Sequence, residues 1–149
     1  MDAYNFTART RRALMAAGDA AGTLRHEYIG TEHLLLALMH DRECLAFARL
    51  TNLGVNLDAM EDVIRKTVKP GQSAVPADSP RPHTTRTKKV LELAMAAARD
   101  DDRSDVRTDH LLIGLLREKM GIAGQVLTAA GVTLEQLSGD IPGARPIDD

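Results

Sequence analysis

The sequence has no tryptophan and only two phenylalanines and two tyrosines among 149 residues. Large rings therefore cannot fill the interior, and Leu, Ala, Met, Ile and Val must do so. A single cysteine, Cys44, excludes an intrachain disulfide and fits a reducing compartment. No stretch approaches the roughly 18 consecutive apolar residues that a spanning helix needs. The first residues lack the basic region and apolar run of a secretory signal. No charge of one sign dominates either, since 19 Lys and Arg against 21 Asp and Glu leave a net −2. That balance provides neither a basic footprint for nucleic acid nor a polybasic membrane patch. The expectation is a cytoplasmic protein that binds neither.

What the chain does have is an internal repeat. Residues 6–60 lie over residues 83–137 at a constant offset of 77 without a gap, and 18 of the 55 pairs are identical. Thr31-Glu32-His33-Leu34-Leu35 lies over Thr108-Asp109-His110-Leu111-Leu112, and Gly54-Val55 over Gly131-Val132. A unit of about 55 residues is marginal alone, whereas two units sharing a core bury a larger fraction of their surface. The prediction is one domain over 1–149: repeat one 6–67, a linker 68–82, repeat two 83–138 and a disordered tail 139–149. Ala-rich runs at 16–21 and 94–98 predict closely approaching helices.

Within repeat one, Thr7 is placed to cap a first helix that ends near Gly22. A loop follows from His26 to Gly30, in which Tyr28 and Ile29 are expected to be buried. Thr31 is expected to cap a second helix, apolar on nearly all sides and so central. A third runs from about Glu43 to Leu53 and stops at Gly54, and Asn56 caps a fourth. Four prolines between 68 and 82 predict an exposed linker. Repeat two follows the same plan at about 84–99, 108–118 and 120–130, with Thr133 and Gln136 as a capping box. Ser138, Gly139 and Pro142 then cut its last helix short. The fold class is all-α: duplicated four-helix repeats with pseudo-two-fold symmetry, packed as one eight-helix bundle.

Phe6-Thr7, the run Tyr28 to Leu35 and Leu53-Gly54-Val55 resemble the first repeat of the Clp N-terminal domain, which fronts ClpA- and ClpC-type AAA+ unfoldases. Arg86, the run Lys88 to Ala94 and the run Thr108 to Glu118 resemble its second repeat. The resemblance covers about residues 4–137 and is closer to ClpC-type domains. It implies a module that receives substrates, adaptors or a Clp unfoldase. It also implies, for ClpC-type domains, a phosphoarginine site in each repeat. No Gly-x-x-x-x-Gly-Lys-Ser/Thr phosphate loop is present. The expectations are a freestanding, non-enzymatic recognition module that regulates or feeds a Clp protease or, alternatively, the excised N-terminal domain of an ATP-binding Clp subunit.

Phosphoarginine joins a planar guanidinium to a phosphate. Its site needs a carboxylate to accept the guanidinium N–H bonds in bidentate fashion. It also needs hydroxyl and backbone N–H donors for the phosphate, which helix N-termini supply. Thr7 and Glu32 begin two different helices and form the expected first site if those starts converge. Thr84, Asp109 and Arg107 form the expected second, weaker site. Asp109 is one methylene shorter than Glu32, and Arg107, standing where repeat one has Gly30, either reaches the phosphate or pairs with Asp109. The bland reading is that both threonines are ordinary caps and both acids favour their helix dipoles.

His33 and His110 recur in both repeats and are read as buried structural groups rather than metal ligands. Cys44 carries no nucleophile signature. Met15, Met39, Met60, Met95 and Met120 are read as core filler. No cofactor, metal or catalytic residue is expected. A small helical enzyme built on Glu32, His33 and His110 is the rival from another class.

Overall fold

The computed structural model describes residues 5–139 and Asp149. Repeat one consists of a two-residue strand β1 (Asn5–Phe6) and helices α1 (Ala8–Thr23), α2 (Thr31–His40), α3 (Leu45–Asn52) and α4 (Leu57–Thr67). Repeat two consists of α5 (Thr85–Asp100), strand β2 (Asp105–Val106), α6 (Thr108–Arg117), α7 (Ile122–Ala129) and a 3-10 turn, Glu135–Leu137. The all-α duplicated bundle is the fold observed. Its eighth helix is reduced to that single turn, where Thr133 N–H donates to Gln136 Oε1 at 2.9 Å.

The offset of 77 extends from residue types to backbone angles. Both turns that follow the long first helices place a non-glycine residue in the left-handed region, Arg25 at φ 59° and Asp102 at φ 56°. Both third helices stop at a glycine with positive φ, Gly54 at 75° and Gly131 at 85°, a conformation that a side chain would strain.

The core is aliphatic, as the shortage of rings requires. Leu34, Leu35, Leu38, Leu50, Leu111, Leu112, Leu115 and Leu127 are fully buried, each contributing about 1.5–3 kcal/mol of apolar transfer. Helices α2 and α6 supply most of them and touch each other at the centre of the bundle. Buried Ala17 and Ala21 let α1 approach α2, and Ala94 and Ala98 let α5 approach α6. Met39 and Met60 are core residues, but Met15 and Met120 are 71% and 66% exposed, contrary to expectation. Met15 lies off the Ala13, Ala17, Ala21 stripe that α1 buries. Tyr28, expected inside with Ile29, is 52% exposed, whereas Ile29 is buried.

The 68–82 segment is largely exposed, as expected, but it is also pinned to repeat one. Gly71 N–H bonds Leu24 O, Ser73 N–H bonds Arg25 O, and the buried Arg81 guanidinium donates to the carbonyls of His26, Val75, Pro76, Ala77 and Ser79. The tail assigned to 139–149 lies, for residues 140–148, outside the described residues. Gly139 and Asp149 on either side of it are held by hydrogen bonds.

Candidate functional site

The two repeats cross. Thr7 N–H bonds the Val106 carbonyl of repeat two at 3.1 Å, and Thr84 N–H bonds the Ile29 carbonyl of repeat one at 3.0 Å. Strand β1 pairs in parallel with β2, Phe6 against Val106, and Ile29 bridges His83 in the same way. Deeper in, Thr108 Oγ1 accepts from Ala46 N–H at 3.1 Å, and its counterpart Thr31 Oγ1 accepts from Ala123 N–H at 3.3 Å. Each pair is one contact repeated by the pseudo-two-fold. The start of each second helix therefore faces the starts of helices from the other repeat.

This crossing corrects the expected grouping of site residues. Glu32 does not share a cleft with Thr7. It shares one of about 870 Å³ with Thr84, Thr85 and Arg86 from the start of α5 and with Gly121 and Ile122 from the start of α7. Thr7 lies instead beside β2, the segment that leads into Arg107 and Asp109. The sequence repeat identified equivalent residues, but equivalence does not say which copy packs on which.

The threonine hydroxyls also differ from expectation. Thr84 Oγ1 accepts from Thr87 N–H and donates to Thr87 Oγ1 at 2.9 Å, so its proton points into its own helix cap. Thr7 does the same with Thr10. Thr10 Oγ1 donates to Val106 O, so the proton between the two hydroxyls belongs to Thr7. Both are structural caps. Thr31, which the sequence marked as a cap, lines the same cleft as Glu32 and Thr84, and Thr108 is its counterpart in repeat two. Each is in fact the first residue of its helix, with Gly30 and Arg107 in the cap positions. His33 Nδ1 accepts the Gly30 N–H at 2.8 Å and His110 Nδ1 the Arg107 N–H at 3.0 Å, supplying the cap from inside the helix.

In the first site, Glu32 is half-buried and forms no ion pair or hydrogen bond among the described residues. Its carboxylate lies over Gly30, where a Cβ would stand 2.3 Å from Oε1, so glycine leaves the acid its room. Arg86 at the cleft mouth is half-exposed and loosely paired with Glu118 at 3.3 Å. The first N–H groups of α2 and α7, at Thr31 and Ile122, line the same cleft. Orphan N–H groups at two helix starts beside an arginine favour an anion, and an unpaired carboxylate beside them favours a cation.

The second site has the same frame but is filled from within. Arg107 grips Asp109 in bidentate fashion, Nε to Oδ1 at 3.0 Å and Nη2 to Oδ2 at 2.9 Å. Arg49 Nε adds a third bond to Oδ2 at 3.1 Å, and Asp109 is 1% exposed. Of the two roles open to Arg107, pairing with Asp109 is the one observed. Alongside it, the Asp149 carboxylate accepts from Leu45 N–H at 2.7 Å, Thr108 N–H at 2.5 Å and Thr108 Oγ1 at 2.5 Å. Burial pushes the Asp149 carboxyl up, and its hydrogen bonds from Leu45 and Thr108 oppose that rise.

His26, Glu32 and His33 bring their ligand atoms within 4.8 Å of one another, the composition of a small metal site. Their hydrogen bonds argue against one. Because Gly30 N–H donates to His33 Nδ1, the proton of the neutral ring is on Nε2, which donates to His26 Nδ1 at 2.7 Å. His26 Nε2–H then donates to Lys69 O at 2.7 Å. Every ring lone pair is engaged, so neither imidazole has one left for a metal. Burial, with His26 and Arg81 adding to it, lowers His33 to about 4. Cys44 is likewise structural: its thiol caps α3 by accepting from Phe47 N–H, and burial pushes it up to about 11. No helix among the described residues is long and apolar enough to cross a membrane.

Comparison with known proteins gives concordant results. A family model described as the Clp repeat (R) N-terminal domain matches residues 5–130 and again 83–145. The Bacillus subtilis protein called negative regulator of genetic competence ClpC/MecB is 37% identical over 131 residues, which are 88% of this chain and 16% of that protein. The N-terminal domain of the caseinolytic protease associated chaperone ClpD from Arabidopsis thaliana superposes with a TM-score of 0.68 at 26% identity, covering 92% of each chain. A ClpV N-domain solved in complex with a VipB peptide shares the fold, with a TM-score of 0.73 at 17% identity over 89% of this chain and 82% of that one.

Proposed function

Because the chain belongs to the Clp repeat N-terminal domain family, we propose that it is a non-enzymatic, cytoplasmic recognition module that binds substrate or adaptor proteins and so feeds or regulates a Clp protease. An N-domain of the same fold, that of ClpV, takes a peptide of a partner protein, which supports a peptide-borne ligand here. The ligand we assign to the first site is the phosphoarginine side chain of a marked protein.

One observation carries that assignment. The second site is filled by a guanidinium on Asp109 and an acid on the neighbouring N–H groups, while the equivalent places in the first site are open. A ligand that completes the first site brings the same two chemistries, joined. Glu32 would accept its guanidinium, and the N–H groups of Thr31 and Ile122, the Thr31 hydroxyl and Arg86 would take its phosphate. Thr84 helps by capping α5 and so placing Arg86 at the mouth.

Calorimetry with free phosphoarginine tests this. Wild type is expected to bind one equivalent and Glu32→Ala to lose at least about tenfold in affinity, the size of one charge-assisted pair. Silence in wild type, or undiminished binding by the variant, overturns the assignment.

The chain spans only 16% of the length of the curated relatives with which it aligns over 88% of its own. That ratio is compatible with a second reading, in which these residues are the N-terminal domain of an ATP-binding Clp subunit. The site and its ligand are unchanged in that case. A Walker motif in the reading frame beyond Asp149 would support it, and a stop codon would exclude it.

A further inference from the structure

His26 and His33 both line the first cleft, and the hydrogen bonds of this imidazole pair leave no room for an added proton. His33 Nδ1 accepts the Gly30 N–H, so its Nε2–H donates to His26 Nδ1 at 2.7 Å, and His26 Nε2–H donates to Lys69 O at 2.7 Å. A proton added at His26 Nδ1 sets two N–H groups against each other, because a charged imidazole donates from both nitrogens. His33 does not take the proton instead, since its Nδ1 faces an N–H donor and burial holds the ring neutral down to about 4. The proton therefore goes to the half-exposed His26 and parts the rings. A Glu32 carboxylate oxygen lies within 4.8 Å of a nitrogen of each ring and has no partner among the described residues. Around them, Arg25, Glu27, Tyr28 and Arg86 line the same cleft, and Arg81 Nε–H donates to the His26 carbonyl. Of the two acids, Glu27 is exposed, and Glu32 is the one grouped with both rings.

We propose that His26 is a proton-operated gate on the first site: on protonation it leaves His33 and pairs with Glu32, taking the carboxylate that a ligand's guanidinium needs. The proton comes from solvent, no covalent bond of the chain changes, and its loss restores the imidazole pair. The site is open while His26 is neutral and closes as pH falls through its titration, because imidazolium and guanidinium compete for one acid. The gate belongs to the open site alone. At the position of His26 the second repeat has Arg103, held by Asp105 at 2.9 Å, a cation that does not discharge in a folded protein. The inference rests on the first-site reading only for the identity of the ligand that is shut out.

The test follows the Glu32 side-chain carboxyl carbon and the His26 ring carbons by NMR from pH 8 to pH 5.5, without ligand, in wild type and in His26→Gln. In wild type the Glu32 signal should show a step that coincides with the titration of the His26 ring, while the His33 ring stays neutral. In His26→Gln, whose side-chain amide keeps a donor for Lys69 O, that step should vanish. A Glu32 signal indifferent to the His26 ring, or an equal step in the variant, overturns the gate. Calorimetry with free phosphoarginine reads the consequence. Between pH 7.5 and pH 5.5, wild type should lose at least about fivefold more affinity than His26→Gln, the effect of pairing about four-fifths of the Glu32 carboxylates. Equal losses in the two proteins also overturn it. Silence of both at pH 7.5 defeats the first-site reading alone, and the carboxyl signal still decides the gate.

Discussion

Glu32 and Asp109 hold the same place in two copies of one helix, yet they live in different surroundings. Glu32 lies over a glycine with no cation bound among the described residues, whereas Asp109 is buried and held by three bonds from Arg107 and Arg49. One methylene, the exchange of Gly30 for Arg107 and the exchange of Val126 for Arg49 separate a carboxylate available to a partner from one committed to the fold. Duplication kept the frame and changed what fills it, so the filled copy indicates what the open copy lacks.

The sharpest way to break this comparison is to remove each acid in turn. Asp109→Ala should lose about 3–5 kcal/mol in urea denaturation, because it leaves the buried Arg49 without its counter-charge and Arg107 with only a longer contact to Asp101 at 3.5 Å. Glu32→Ala should stay within about 0.5 kcal/mol, as an acid with no partner contributes little to folding. Similar losses at the two positions would contradict the division of roles.

The cores of the two repeats are expected to behave alike where their sites do not. Leu38 and Leu115 are equivalent and both essentially inaccessible to solvent. Each Leu→Ala change should cost about 3 kcal/mol, within the usual range of 2–5. A large inequality would mean that one repeat carries the domain and the other is appended.

The histidines offer a pH test. Burial holds His33 neutral, its folded value of about 4 lying below the ordinary 6.5. Its contribution to stability is therefore present above 6.5 and lost as pH falls through the window down to about 4, by up to about 3 kcal/mol. Denaturation midpoints between pH 7 and pH 4 should fall less in His33→Gln than in wild type. Parallel curves would show that His33 is not the titrating group.

The smallest expected effect concerns the cleft mouth. Arg86→Ala should leave stability within about 0.5 kcal/mol, since its pair with Glu118 is half-exposed. It should weaken phosphoarginine binding several-fold through lost charge. Unchanged affinity would place Arg86 outside the site.

Much of the fold could be read in advance because it is periodic. The offset of 77 carries helix starts, the two glycine stops and the central leucines, all of which depend on local pattern. What escaped the reading depends on contacts between distant segments. Which repeat's helix start faces Glu32 is decided by the parallel bridges of Phe6 with Val106 and His83 with Ile29, and no spacing within a repeat encodes them. The proline-rich segment is exposed, as its composition predicts, but one buried arginine, Arg81, which has no periodic signature, ties it down through five carbonyls. The site hydroxyls were assigned to Thr7 and Thr84 because both are helix caps. Repeat identity does not single out Thr31 and Thr108, because Thr7 and Thr84 match at the offset of 77 as well. Asp149 belongs to no repeat at all and could be recognised only by its contacts.

The central claim is that the same frame is open in one repeat and self-filled in the other. It is tested most directly by titrating labelled wild-type protein with free phosphoarginine and following six amides. The account predicts saturable shifts at Thr31, Glu32 and Ile122 with Leu45, Thr108 and Asp109 unmoved. Equal shifts in both sets, or shifts confined to the second, would contradict it.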